Sequence, residues 1–394
     1  MGKRMRFVAA LAALVVALTG CTSTPSGTET DTSVEPSMPS VAPPSPTERV
    51  EAFPTAAFAG ISEDPVSGET AAEFQAALDE MADGGGMAAT VMSADGTWSG
   101  AAGKADGVRD VRVDDQFGIA SVTKPVIAAQ VMQMVEAGEL ALDDLAADHL
   151  PPDLEFDTNG ATIRQLLGMH SGIPDWYGDE MEASVATDRR RLWKPADVLE
   201  LVGPGRAPAG EKFEYTDTNY TLLGLVIEQV RGRPVVDVLR DGVLGIDGIE
   251  RLVYQPDEAP SRPMAMPDGE SAAALEKGGG YLPSLADASS AGPAGAIASD
   301  SPSLARWWRA FCAGEIVSQD SLTEMTTFHD EYGLGLLDVA DGYAASVGHL
   351  GSNFGYVAWA GCLPEDGSVV VVLANRDVED IWLMAEPLVD ALSD

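Results

Sequence analysis

Strand-like patterns occur at two distant places in this chain of 394 residues, with a long and mainly helical stretch between them. The first is a hairpin pattern, in which the runs 87–92 and 97–102 flank the turn Ala94-Asp95-Gly96. The second place holds four successive strand patterns at 332–339, 343–348, 355–360 and 368–374. The order predicts one antiparallel domain that takes its strands from both ends of the chain.

Helical periodicity accounts for much of the remaining sequence. The clearest segments share apolar residues three or four positions apart. They are Thr70–Met81, Ser121–Ala137, Ile163–Leu167, Pro195–Val202, Asn219–Val230, Leu304–Phe311 and Ile381–Leu392. The prediction is an α+β fold in which N- and C-terminal helices flank an antiparallel sheet. An α/β lobe of residues 57–140 and 290–394 would be interrupted by a mainly helical lobe, 141–289.

Residues 1–20 are typical of a secretory signal peptide rather than of a folded segment. A basic start is followed by the apolar run Phe7–Leu18, which is short for a membrane span. Leu18-Thr19-Gly20-Cys21 resembles the bacterial lipobox, so we expect lipidation of Cys21; the alternative is a plain signal with an incidental cysteine. The expected location is therefore the outer face of the bacterial cytoplasmic membrane.

Residues 21–56 are rich in Thr, Ser and Pro and contain almost no aromatic residues. Such a composition cannot bury a core, and it predicts a disordered tether. Fully extended, the tether would reach about 100 Å, enough to hold a folded domain of residues 57–394 away from the membrane.

Charge and cysteine content limit the possible partners. The chain has 62 acidic and 24 basic residues, a formal net charge of −38 that repels nucleic acid and anionic lipid headgroups. Cys312 and Cys362 are either a disulfide pair in an oxidising compartment or two buried thiols. The four histidines lack metal-ligand spacing, so we expect no metal and no other cofactor.

The first chemical motif is the S-x-x-K pair of Ser121 and Lys124. Three residues are about one helical turn, so both side chains would project from the same face of a helix. A serine hydroxyl becomes a useful nucleophile when a neighbour takes its proton, and an amine one turn away can do so. Taken alone, this short pattern is more typical of a capping Ser and a solvated Lys than of a catalytic pair.

Two further stretches lie downstream in a fixed order. Glu214-Tyr215-Thr216-Asp217-Thr218-Asn219-Tyr220 comes first, and Gly348-His349-Leu350-Gly351-Ser352 follows near the end of the chain. With the S-x-x-K pair, they resemble the penicillin-recognising serine hydrolases, in the branch of class C β-lactamases, D-Ala-D-Ala carboxypeptidases and related esterases. The segments 166–174 and 292–299 are similar to further patches of that family.

The resemblance implies a role for each matched residue. Ser121 would be the nucleophile, Lys124 would keep the site positive, and Tyr215 would accept the serine proton if nearby cations lower its pKa. His349 would replace the lysine of the family's K-T-G, either protonating the leaving group or binding a substrate carboxylate when charged. The backbone N–H groups of Ser121 and Ser352, beside Gly351, would form the oxyanion hole, where one donor contributes about 3 kcal/mol. His170 is interpreted as a structural, hydrogen-bonding histidine.

Two residues depart from the family pattern. Asp217 stands where the family has Asn, and an ionised carboxylate cannot donate to a substrate carbonyl. His349 in place of Lys moves the interpretation away from β-lactamases. The resulting prediction is a D-Ala-D-Ala carboxypeptidase acting on cell-wall peptides. A small-ester or amide hydrolase is next, a β-lactamase third, and a non-catalytic cell-wall-binding protein is the alternative of another class.

Overall fold

The computed structural model describes residues 51–82, 85–267, 272–340 and 342–393, which belong to one compact unit starting at Arg49. The predicted signal peptide, Cys21 and the tether up to residue 50 lie outside the described residues. Phe53 is buried, stacks on Phe58 and donates its backbone N–H to Thr323. Because of these contacts, the folded part begins before residue 57, earlier than composition predicts.

The helices of the described residues are numbered in chain order. They are α1 (Thr55–Phe58), α2 (Gly68–Met81), α3 (Thr123–Glu136), α4 (Ile163–Leu167), α5 (Asp179–Thr187), α6 (Pro195–Leu199), α7 (Asp217–Arg231), α8 (Val235–Asp241), α9 (Ala272–Lys277), α10 (Leu285–Ala291), α11 (Ser301–Cys312), α12 (Gln319–Met325) and α13 (Glu386–Ser393). Short 3₁₀ turns occur at Ala120–Val122, Ala146–His149 and Gly292–Ala294.

The strands form two antiparallel sheets. They are β1 (Gly86–Ser93), β2 (Gly96–Gly103), β3 (Phe117–Gly118), β4 (Val253–Tyr254), β5 (Ile297–Ser299), β6 (Val347–Asn353), β7 (Tyr356–Leu363) and β8 (Ser368–Ala374). The larger sheet has the order β2-β1-β8-β7-β6, and the smaller has the order β3-β5-β4. The antiparallel pairing of β1 with β8 joins the two ends of the chain and confirms the predicted fold class.

The large sheet is covered on both faces, and β8 shows how. Val369, Val371 and Leu373 pack into the core that contains the aromatic side of α11. Val370 and Val372 belong to the opposite cluster with residues of α2 and α13. Alternate residues of a strand face opposite sides, so an uninterrupted valine run fits a strand buried on both faces. The flanking terminal helices were predicted correctly, and the Cys312–Cys362 disulfide ties α11 to β7.

In the second strand-rich place, the strand predictions are wrong over 332–339 and 343–346. Residues 332–339 form only isolated bridges, because Gly335 has φ +80° and its neighbours turn the chain instead of extending it. The edge strand β6 begins at Val347 and contains the motif Gly348-His349-Leu350-Gly351-Ser352. Periodicity also missed α5, α8, α10 and α12 and the whole smaller sheet. Of the helices in the described residues, none is long and apolar enough to span a bilayer.

Candidate active site

Ser121 lies in the 3₁₀ turn Ala120–Val122, between β3 and the N-terminus of α3. Ala120 has φ +47°, a left-handed conformation that is strained for a residue with a side chain. The smaller sheet holds this turn, since Ile119 N–H donates to Ile297 O and Ile297 N–H donates to Thr123 Oγ1. The nucleophile candidate is therefore fixed by its backbone at a tight bend, two residues before α3 begins.

Lys124 is fully buried one turn further on and points back to Ser121. Its Nζ lies 2.8 Å from Ser121 Oγ and 2.9 Å from the carbonyl oxygen of Ala294. An amine without access to water needs such partners, because burial disfavours its charged form. The S-x-x-K pair thus has the contact that proton transfer to or from the hydroxyl requires.

Asp217 supplies the counter-charge. It is the first residue of α7, which is capped by Thr216, and its Oδ1 lies 2.6 Å from Lys124 Nζ. The angles depart from hydrogen-bond geometry, so the contact is an ion pair. Burial is the largest single influence and acts to lower the pKa of Lys124, but the interactions with Asp217 and Tyr215 together outweigh it, so the pKa is raised. Lys124 is accordingly an ammonium.

Tyr215 completes the group around Ser121. Its ring lies over Lys124 Nζ, 4.9 Å from the centroid, and its hydroxyl interacts with both Lys124 and Ser121. Loss of water contact raises the pKa of Tyr215, although 37% of the residue is exposed; Lys124 lowers the pKa but does not compensate, and Asp217 raises it further. Tyr215 is therefore a neutral phenol, and cations do not lower its pKa as its predicted role of proton acceptor requires.

A second carboxylate, Asp175, stands behind Asp217. Its Oδ1 accepts hydrogen bonds from the backbone N–H groups of Asp217 and Tyr177. Thr218 Oγ1 fixes the loop, since it donates to Pro174 O and accepts from the Trp176 N–H. Burial, then the charge of Asp217, raises the pKa of Asp175 to about 7. Sequence reasoning missed Asp175, although it directly follows the family-like segment 166–174.

The edge strand β6 borders the nucleophile turn. A Cβ placed on Gly351 would lie 2.2 Å from Ile119 O and 3.2 Å from Ser121 N, so only glycine permits this approach. Ser352 follows it and is exposed. The strand therefore runs where the predicted oxyanion hole requires it. The donor roles of Ser121 and Ser352 remain predictions.

The end of β6 is held by a contact that the sequence did not reveal. Asn353 Nδ2 lies 2.9 and 2.8 Å from the two carboxylate oxygens of Asp287, on α10. Asp287 is nearly fully buried, and that burial raises its pKa to about 7 although Asn353 acts in the opposite direction. This contact fixes the strand one residue beyond Ser352.

His349 lies in buried surroundings that bear on both roles expected of it. It is 1% exposed and lies behind Tyr215, with ring centroids 6.3 Å apart. Its Nδ1 is 2.6 Å from Leu350 O and must carry hydrogen, since a carbonyl only accepts; its Nε2 is 3.0 Å from Tyr332 Oη. Burial, then the charge of Lys124, lowers the pKa of His349 to about 3. These surroundings favour a neutral ring and disfavour the binding of a substrate carboxylate by a charged His349, whereas its role in protonating the leaving group remains a prediction.

Two remaining expectations concern histidines and metals. His170 Nδ1 lies 2.6 Å from Gly168 O and its Nε2 lies 3.1 Å from Asp330 Oδ2, as expected of a structural loop histidine. In the part of the chain that the structure describes, no group of three or more His, Cys, Asp or Glu residues is arranged to hold a metal ion.

Comparison with known proteins gives a consistent assignment. A family model described as Beta-lactamase matches residues 74–390. Penicillin-binding protein 4 of Amycolatopsis lactamdurans is 33% identical over 152 residues, which cover 38% of this chain and 39% of that protein. The matched segment thus spans about two fifths of this curated relative.

Solved structures are similar over most of the fold. A D-amino acid amidase from Ochrobactrum anthropi SV3, complexed with L-phenylalanine amide, is 26% identical, with a TM-score of 0.68 over 82% of this chain and 97% of that one. A D-stereospecific amidohydrolase from Streptomyces sp. is 25% identical, with a TM-score of 0.66 over 80% and 98% of the two chains.

Proposed function

This chain belongs to the beta-lactamase family of serine hydrolases, and from that premise we propose that it hydrolyses small amides through an acyl-enzyme on Ser121. One observation carries the proposal: the buried Lys124 Nζ lies 2.8 Å from Ser121 Oγ, and the Tyr215 hydroxyl interacts with both. A structural serine would need neither a buried ammonium nor a second proton carrier.

The proposed reaction has two steps. In the first, the deprotonated form of Lys124 or Tyr215, a small fraction at neutral pH, takes the serine proton as Ser121 Oγ bonds to the acyl carbon. The C–N bond then breaks, and that proton passes to the leaving nitrogen. In the second, water adds to the acyl carbon, the ester bond to Ser121 breaks, and the proton from water returns to the serine oxygen. The sum is amide plus water giving acid plus amine, with no co-reactant.

Similarity to the two solved amidohydrolases favours an amide over other substrates. Their names concern D-amino acid amides and D-stereospecific hydrolysis, so the amide of a D-amino acid is the substrate class that we propose for this chain. Small esters, which are easier acyl donors, would also react at such a site.

The D-Ala-D-Ala carboxypeptidase that the motifs first suggested is the second candidate. Similarity to a penicillin-binding protein supports it. Two features of the site disfavour it, since the peptide's terminal carboxylate would meet a neutral, buried His349 and the carboxylate of Asp217. A β-lactamase meets the same objection. The Lys124–Ser121 contact disfavours a purely binding protein.

The test is a substrate panel measured beside Ser121→Ala. It contains D- and L-phenylalanine amide, a peptide ending in D-Ala-D-Ala, a 4-nitrophenyl ester and a chromogenic β-lactam. The proposal predicts that the D-amide and the ester are cleaved, and that Ser121→Ala lowers kcat/KM at least about 1,000-fold. Full activity of Ser121→Ala would overturn the mechanism. Release of D-alanine without amide cleavage would select the carboxypeptidase.

A further inference from the structure

Asp217 is the residue in which this site departs most from its family's pattern, and it lies directly on the catalytic group. Its Oδ1 contacts Lys124 Nζ, which in turn contacts Ser121 Oγ. The side chain is 22% exposed, whereas Lys124 is completely covered. Asp217 therefore has one side toward the proton carriers and another that solvent, and hence a bound substrate, can reach.

The charges around Lys124 do not balance. Asp217 pairs with this buried ammonium, and the charge of Lys124 also acts on Asp175, the carboxylate next to Asp217. The excess charge is visible in Asp175, whose pKa is raised to about 7 by burial and by Asp217. One further positive charge beside Asp217 would complete two ion pairs.

The same site offers little to a negative substrate group. His349 is neutral, and Lys124 is already engaged by Asp217, Ala294 and Ser121. The nearest basic residues along the Tyr215 stretch, Arg206 and Lys212, both pair with Glu214. The strongly acidic chain as a whole also favours the approach of cations over anions.

We infer that Asp217, with Asp175 behind it, selects substrates that carry a protonated amine on the carbon next to the scissile carbonyl. This inference rests on the proposed acyl-enzyme hydrolase and specifies its substrate. The acyl carbon must meet Ser121 Oγ, and an α-amine lies only two bonds from that carbon. The Asp217 carboxylate contacts Lys124, which in turn contacts the Ser121 hydroxyl. A substrate whose acyl carbon meets Ser121 Oγ therefore has its ammonium within a few Å of that carboxylate.

Another role for Asp217 must be separated from this one. Asp217 also sets the charge of Lys124, so replacing it would alter catalysis for every substrate. The ratio of kcat/KM between two substrates that differ only in the amine removes that common effect. Asp217→Asn is the appropriate variant, because it keeps the shape, removes the charge and restores the residue type of the family.

The experiment compares D-alanine 4-nitroanilide with propionyl 4-nitroanilide, which lacks only the amine, at pH 7. Three full-length proteins are used: the wild type, Asp217→Asn, and Asp143→Asn, an exposed aspartate that serves as a charge control. We expect the wild type to prefer the amine by about 10-fold or more, Asp217→Asn to lose most of that preference, and Asp143→Asn to keep it.

Labelling of Ser121 by a fluorophosphonate, measured on the same samples, separates the two proposals. No labelling and no turnover by the wild type would refute the hydrolase itself. Labelling with an amine preference below about twofold would overturn only the present inference. The inference would also be overturned if Asp217→Asn lowered kcat/KM for both anilides by the same factor. Asp175→Asn provides a second test, with a smaller loss of preference expected, if Asp217→Asn does not fold.

Discussion

Asp217 Oδ1 lies 2.6 Å from Lys124 Nζ, the same atom that lies 2.8 Å from the hydroxyl of Ser121. The carboxylate stands where the motif of the resembled family has an asparagine, and it raises the pKa of the lysine against the effect of burial. The site is consequently more protonated than the motifs alone suggest. That state has consequences for activity, stability and substrate choice.

The first consequence is a rise of activity with pH. The pKa values of Lys124 and Tyr215 are both raised, so the deprotonated fraction that can accept the Ser121 proton is small at neutral pH. We expect kcat/KM for an uncharged ester to increase steeply, up to about tenfold per unit, from pH 7 to 9. Asp217→Asn removes the charge that raises the lysine pKa, so its profile should shift to lower pH. A flat wild-type profile, corrected with Ser121→Ala, would contradict this.

A second prediction concerns the approach of β6 to the nucleophile. Gly351→Ala places a Cβ 2.2 Å from Ile119 O and must push the strand away from Ser121. Gly348→Ala is a matched control on the same strand, because its Cβ would lie 2.3 Å from Ala360 O. Both changes should destabilise the fold by about 1–3 kcal/mol. Only Gly351→Ala should lower kcat, by about 10- to 100-fold.

These two variants are compared well below their melting temperatures, with kcat measured on the folded fraction. Equal kcat values for both would mean that the contact of Gly351 with the nucleophile turn does not position the reacting groups.

The third prediction follows from the buried Asp287. Burial raises its pKa to about 7, whereas an unfolded aspartate titrates near 3.8. Between these values the folded state binds more protons than the unfolded state, so this carboxyl makes the free energy of unfolding decrease as pH rises. Asp287→Asn stays neutral. The melting temperature of Asp287→Asn minus that of the wild type should therefore become larger as pH rises from 4.5 to 7.5.

Differential scanning calorimetry at several pH values checks this, with the exposed Asp143→Asn as the control. A difference between Asp287→Asn and the wild type that stays constant over this range would show that Asp287 does not titrate there.

The disulfide should contribute substantially to stability. Cys312 and Cys362 are 50 residues apart, and their bond links α11 to β7 across one face of the sheet. Restricting a loop of that length in the unfolded chain stabilises the fold by about 2–4 kcal/mol. Replacing both cysteines with alanine should lower the free energy of unfolding in urea by that amount. An unchanged unfolding midpoint and slope would mean that the link contributes little.

Lipidation of Cys21 remains a prediction from the sequence. The basic start, apolar run and lipobox-like residues predict that a bacterial host attaches a lipid to Cys21. Growth with an alkyne fatty acid should label the wild-type protein in the membrane fraction, while Cys21→Ala should be unlabelled and released from membranes. Equal labelling of both proteins would exclude this residue.

The sequence predicted those parts of the fold that depend on local pattern. The strand predicted from the valine run and strand β8 of the structure have the same bounds, Ser368–Ala374. The order of strand patterns at the two chain ends correctly predicted an antiparallel sheet built from both. The strand prediction for residues 332–339 is wrong because a backbone turn at Gly335 interrupts the strand-like pattern. Short helices such as α10 have too few turns for periodicity to reveal them.

The sequence predicted which residues form the site but not the protonation state of each. Motif order placed Ser121, Lys124 and Tyr215 together correctly. The protonation of each depends on burial and on residues distant in sequence, such as Asp217, which is 93 positions from Lys124. Likewise, nothing in a Gly-His-Leu-Gly run indicates that the histidine is buried against Tyr332.

The most direct test of the account is the intact mass of the protein after reaction with a fluorophosphonate, followed by peptide mapping, beside Ser121→Ala. The account predicts one adduct on the wild type, located at Ser121, and none on Ser121→Ala. A wild type that stays unmodified, or an undiminished adduct on Ser121→Ala, would contradict the assignment of Ser121 as the nucleophile.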